Sequence, residues 1–122
     1  MIIGEGKLQG HENQTVEGEF ILEKRGGAVV LALDEFHYVG PPGPGLAFST
    51  SGPGDEAQAK KNLIHRFPGQ SEDGAPIAFI DAPDTPLPHT VSATDITSIF
   101  LWCYERKLLL GTGRVVHRGA GV

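Results

Sequence analysis

The sequence predicts an all-β domain, an antiparallel β-sandwich or closed barrel of about 8–10 short strands. Three observations predict it. Short apolar or alternating segments recur along the chain, bounded by Gly, Pro, Asn or Asp. The 17 Gly and nine Pro among 122 residues suit strands joined by frequent turns. No segment keeps a 3.6-residue apolar period, so helices are not the frame.

The first clear strand is Val16 to Glu23. Val16, Phe20 and Leu22 share one face, and Glu17, Glu19 and Glu23 the other. Lys24-Arg25-Gly26-Gly27 reads as a hairpin turn, because glycine supplies positive φ without a Cβ clash. Ala28 to Leu33 is apolar on both faces and reads as a buried strand. Asp34 to Val39 continues it after a bend. Gly40-Pro41-Pro42-Gly43-Pro44-Gly45 reads as a stiff loop, since proline lacks a ladder donor and fixes φ. Leu46 to Ser49 is a short strand. Ser51 to Lys61 is a polar loop with one helical turn at Asp55 to Lys61. Asn62 to Phe67 and Pro76 to Asp81 are further strands, and Ala82 to Pro88 a second proline-stiffened loop. Ser98 to Tyr104 is the most apolar and aromatic segment. Ile96, Phe100 and Trp102 are expected on one face and Ile99, Leu101 and Cys103 on the other, as in a central strand. Lys107 to Leu110 and Arg114 to His117 are expected to pair around a turn at Gly111-Thr112-Gly113.

The length gives a single domain over residues 1–122, long enough to bury its own core without staples. A net charge of −5 and only short basic pairs (Lys24-Arg25, Lys60-Lys61, Arg106-Lys107) argue against nucleic acid as a partner. The longest apolar stretch, Ala28 to Leu33, is far short of the ~20 residues a bilayer span needs. The N-terminus has no basic and apolar leader, so a complete chain is expected to stay in the cytosol.

Cys103 is the single cysteine. A lone thiol makes no internal disulfide or dithiol cycle. It is either a small apolar core residue or a redox thiol, which needs a lowered pKa and solvent access. Trp102 and Tyr104 flank it, and Arg106 and Lys107 are cations near enough in sequence to favour a thiolate. These four are the candidate binding residues beside it. Alternation puts Glu105 and Lys107 on the Cys103 face if the strand runs on unbent. The five histidines show no HxH, HxxxH or HExxH spacing, so no metal ligand set is expected. No GxSxG elbow, phosphate loop or other enzyme motif is present. Asn13-Gln14-Thr15 is a glycosylation sequon, relevant only to an exported chain.

The order of these segments resembles the DM-thirteen domain, the Skeletor-type module often found with DOMON domains and proposed to take part in electron transfer. The resemblance rests on Gly6-Lys7-Leu8 with His11, on Val16-Glu17-Gly18, and on Leu33-Asp34-Glu35-Phe36-His37-Tyr38-Val39-Gly40-Pro41. Its most specific part is Asp95 to Cys103 with its Trp102-Cys103 pair, followed by Leu110-Gly111-Thr112-Gly113-Arg114-Val115. It covers roughly residues 4–116. The chain departs from the pattern at Gly45-Leu46, where the family has an acidic residue, and at Leu110, where it has an aromatic. The resemblance implies a sandwich-like β-fold, an extracellular setting and Cys103 as the redox residue. A one-thiol centre needs a partner to complete a two-electron cycle. That implies a partner thiol, a metal or a haem supplied from elsewhere, for instance by a DOMON-like protein. The first functional expectation is therefore a redox accessory domain centred on Cys103. The alternative is a non-catalytic binding or interaction domain, with a structural Cys103 and a recognition surface on the rigid loops.

Overall fold

In the computed structural model, residues 1–12, 14–40, 43–52, 54–67, 77–79, 84–88 and 92–118 are described. They form β1 (Ile2–Gly10), β2 (Thr15–Arg25), β3 (Ala28–Gly40), β4 (Pro44–Ser49), α1 (Glu56–Lys61), β5 (Leu63–Arg66), β6 (Ile77–Phe79), β7 (Thr85–Pro86), a 3-10 turn (Ala93–Asp95), β8 (Ser98–Cys103), β9 (Leu108–Arg114) and β10 (Val116–His117). All ten strands belong to one antiparallel sheet with the order β5-β4-β8-β9-β1-β2-β3-β6; β10 pairs with β1 and β7 with β3. The sheet curls into a nearly closed barrel. The expected all-β class and strand number hold.

The curl follows from where the apolar side chains sit. One core cluster takes Leu8 from β1, Phe20 and Leu22 from β2, Leu31, Phe36 and Tyr38 from β3, Leu46 and Phe48 from β4, and Ile99, Leu101 and Cys103 from β8. A flat sheet cannot bring these together, so its apolar face must wrap on itself. Phe36 of β3 stacks on Phe67, just past β5, with ring centroids 5.5 Å apart. That contact joins the β5 end of the strand order to β3, next to the other end, across the barrel.

Several details set the curvature. The β2–β3 hairpin closes through Gly26 at φ +60, with Arg25 opposite Ala28; only the first of the two turn glycines has positive φ. The bend expected within β3 is a β-bulge. Glu17 pairs with His37 and Glu19 with Asp34, so β3 carries one extra residue there. Glu35 takes it up at φ +53, opposite Gly18 at φ +142. A second irregularity lies between β8 and β9, where Leu101 pairs with Gly111 and Trp102 with Leu109.

Four expectations are corrected. Gly111 to Gly113 lie inside β9 rather than at a turn, and Val116–His117 pair with Gly4 and Glu5 of β1. These glycines serve close approach. A Cβ on Gly113 would lie 2.4 Å from the Lys7 carbonyl oxygen and 2.8 Å from the Phe20 ring. The Gly40 to Gly45 loop is shorter than expected, because Pro44 and Gly45 begin β4. A strand's first residue tolerates proline, and the Pro44 carbonyl accepts the Phe67 N–H at 2.9 Å. Pro41 and Pro42 lie outside the described residues. The second proline loop is partly strand: Thr85 and Pro86 pair with Leu31 and Val30. Its Ala82 and Pro83 lie outside the described residues. Ile96 joins the Cys103 side of the core instead of the Trp102 side. It follows the 3-10 turn and precedes β8, so strand alternation does not reach it.

The helical turn forms where expected. Asp55 caps it, its carboxylate accepting the Gln58 N–H at 2.9 Å. α1 lies on the outside of the β4–β8 pair, where Ala59 packs with Ala47, Phe100 and Trp102 in a second, smaller cluster. β8 is therefore buried on both faces. The buried polar side chains are satisfied: Asn62 donates to the Phe48 carbonyl at 3.1 Å and Ser98 to the Gly52 carbonyl at 3.1 Å.

Candidate functional site

β8 carries Cys103 to one end of the barrel. Pro44 of β4 and Leu108 of β9 are its cross-strand neighbours. The side chain points inward and is fully buried (0% exposed) within the main core. The chain then turns through residues 104–107, and the Arg106 N–H donates to Cys103 Sγ at 3.4 Å. Sulfur is a weak acceptor, but this contact gives the thiol a local role, tying the start of the turn to its third residue. Lys107 closes the turn at φ +52.

The five expected site residues do not converge. Trp102 lies on the opposite face of β8 from Cys103, edge-on to Phe100 with centroids 6.3 Å apart. Strand pleating makes that unavoidable for adjacent residues. Tyr104 sits outside the barrel, its hydroxyl donating to the Ala59 carbonyl at 2.6 Å. Burial raises its pKa, with nearby Arg66 opposing. Arg106 and Lys107 are exposed. The turn replaces the strand continuation that would have put Lys107 and Glu105 on the Cys103 face.

Two partners at this end were not legible in the sequence. The first is Tyr38 of β3, fully buried (0% exposed) and in the same core. Burial pushes its phenol well above the usual range; the Cys103 thiol nearby pushes it further, and Arg106 opposes both. The second is Arg66. Its guanidinium lies 4.2 Å over the Tyr104 ring, and its Nε donates to the Gly43 carbonyl at 3.0 Å. Both pairings join residues distant in sequence, so local patterns carry no trace of them.

No family model, curated protein or solved structure matches the chain. The site is therefore read from its own chemistry.

Among the described residues, no group of three or more His, Cys, Asp or Glu is placed to hold a metal ion, and no helix is long and apolar enough to cross a membrane. Among the described residues, two adjoining grooves lie on the outer face of the sheet, away from Cys103. One groove of about 690 Å³ runs along β1, β2 and β9, lined by Glu5, Lys7, Glu19, Ile21, Thr112 and Arg114. A second, of about 510 Å³, shares Lys7, Gln9 and Glu19 and reaches Glu17 and the bulge at Glu35. Together they make one trough of mixed polar and apolar lining along β1, with Lys7 and Glu19 paired across it at 3.8 Å. Asn13 and its sequon lie outside the described residues.

Proposed function

We propose that this chain is a non-catalytic binding β-domain in which Cys103 is a structural residue. The burial of Cys103 carries the proposal. A redox thiol has to meet an oxidant or a partner sulfur, and its reactive form is the thiolate. A thiol with no exposed surface, among Ile99, Leu101 and Leu108, meets neither in the resting fold. The trough along β1 supports the binding half of the reading. It is concave, carries charged residues on both walls and is built on paired strands, so its backbone is fixed before contact.

The redox role implied by the DM-thirteen resemblance makes the opposite demand, and one comparison separates the two. Purified wild-type protein and Cys103→Ala are each mixed with ferricyanide, a one-electron oxidant, under native conditions. The binding reading expects the same slow baseline reduction from both. Fast reduction by wild type that Cys103→Ala abolishes would restore the electron-transfer role.

A further inference from the structure

At the barrel end that holds Cys103, Pro44 pairs with it across the strands and the turn at residues 104–107 follows it, with the Arg106 N–H on its sulfur. Cys103 is fully buried, yet Glu105, Arg106 and Lys107, within four residues of it, are all exposed. Among the described residues, the turn at residues 104–107 therefore carries the chain from the buried thiol to the surface within four residues. Arg66 bridges Gly43 and this turn. Its Nε donates to the Gly43 carbonyl at 3.0 Å, and its guanidinium plane covers the Tyr104 ring at 4.2 Å. Tyr104 in turn lies over Gly45, where an added Cβ would meet the Tyr104 ring at 2.6 Å. The Tyr104 hydroxyl fixes the turn to α1 through the Ala59 carbonyl.

We infer that Arg66 is a latch: by stacking on Tyr104 and bonding to Gly43 it holds the turn at residues 104–107 against the start of β4 beside the buried Cys103, and its release frees that turn while β4 stays paired with β8. The side chain suits the task. A planar guanidinium stacks on an aromatic face and donates in its own plane at once, whereas a lysine ammonium is a flexible point charge. Arg66 is on the exposed surface, so an anionic partner can compete for it. The core does not depend on it, because the buried cluster is apolar and closes through Phe36 and Phe67. This inference goes beyond the binding reading and stands without it.

The test is native-state labelling of Cys103 by a disulfide reagent across low denaturant concentrations, with the global unfolding curve measured in parallel. The variants are Arg66→Ala, Arg66→Lys and, as a remote charge control, Arg25→Ala. Losing one exposed stacking contact and one hydrogen bond shifts an opening equilibrium by roughly tenfold. Arg66→Ala and Arg66→Lys are expected to label about tenfold faster than wild type, with a rate nearly independent of denaturant; the unfolding midpoint falls by no more than the same tenfold loss accounts for, because the opened and the unfolded states both lack these contacts. A flat dependence marks local opening, since little surface is exposed. Arg25→Ala is expected to label like wild type. Labelling of Arg66→Ala within twofold of wild type would overturn the latch. So would faster labelling that rises with denaturant as steeply as global unfolding, because Arg66 would then contribute to overall stability only.

Discussion

At the scale of single residues, Tyr38 has the clearest electrostatic signature. Its phenol is buried beside Cys103 and its pKa is raised, chiefly by burial. A raised pKa means that, above the ordinary tyrosine value of ~10, the folded protein holds a proton the unfolded chain has lost. Tyr38 therefore contributes its full share of stability below pH ~10 and loses it as pH rises, by up to about 1.4 kcal/mol per pH unit. Tyr38→Phe removes that dependence. Denaturant unfolding from pH 7 to 11 should show the wild-type advantage over Tyr38→Phe shrinking above pH 10; a constant difference would mean the phenol is not desolvated. The sequence singled out Cys103 as the residue to explain. It left open whether the thiol was core or reactive, because exposure depends on where β4, β9 and the turn at 104–107 lie. Alternation puts Trp102 and Cys103 on opposite faces of the strand, and they lie in separate clusters, so Trp102 is a sequence neighbour of the thiol without facing it.

At the scale of elements, strands with clean alternation were legible and glycine-rich ones were not. Val16, Phe20 and Leu22 announced the inner face of β2, and all three are buried. The Gly111 to Gly113 stretch of β9 read as a turn, because glycine signals both turns and close backbone approach. Only the packing decides between them: Phe20 and Val16 of β2 occupy the space that side chains at Gly113 and Gly111 would need. Gly113→Ala would drive a Cβ against the Lys7 backbone, which has little room to retreat. The expected loss is about 1–3 kcal/mol, at the upper end. Gly27→Ala is the matched contrast, since nothing lies within 4 Å of its Cβ position and its φ is not positive. It should leave stability unchanged or raise it by up to about 1 kcal/mol. Equal effects at the two sites in urea unfolding would contradict this packing account.

At the scale of the whole molecule, the barrel explains why the thiol is hidden. β4 and β8 pair in full register from Pro44–Cys103 to Ser49–Ser98, although about half the chain separates them in sequence. That long-range pair is covered inside by the main core and outside by α1. The composition made an all-β fold legible, but not which distant strands would meet, and burial of Cys103 follows from those meetings. The account's central claim is that Cys103 is packing rather than chemistry. The most direct test is the rate at which the wild-type thiol reacts with a coloured disulfide reagent, native and then unfolded, at pH 7 to 9. The account predicts native labelling slower than unfolded labelling by about a thousandfold or more, as expected when reaction waits on an opening that costs several kcal/mol. Native labelling as fast as that of the unfolded chain, with a midpoint well below the ordinary thiol value of ~8.5, would contradict it and return Cys103 to the centre of a redox function.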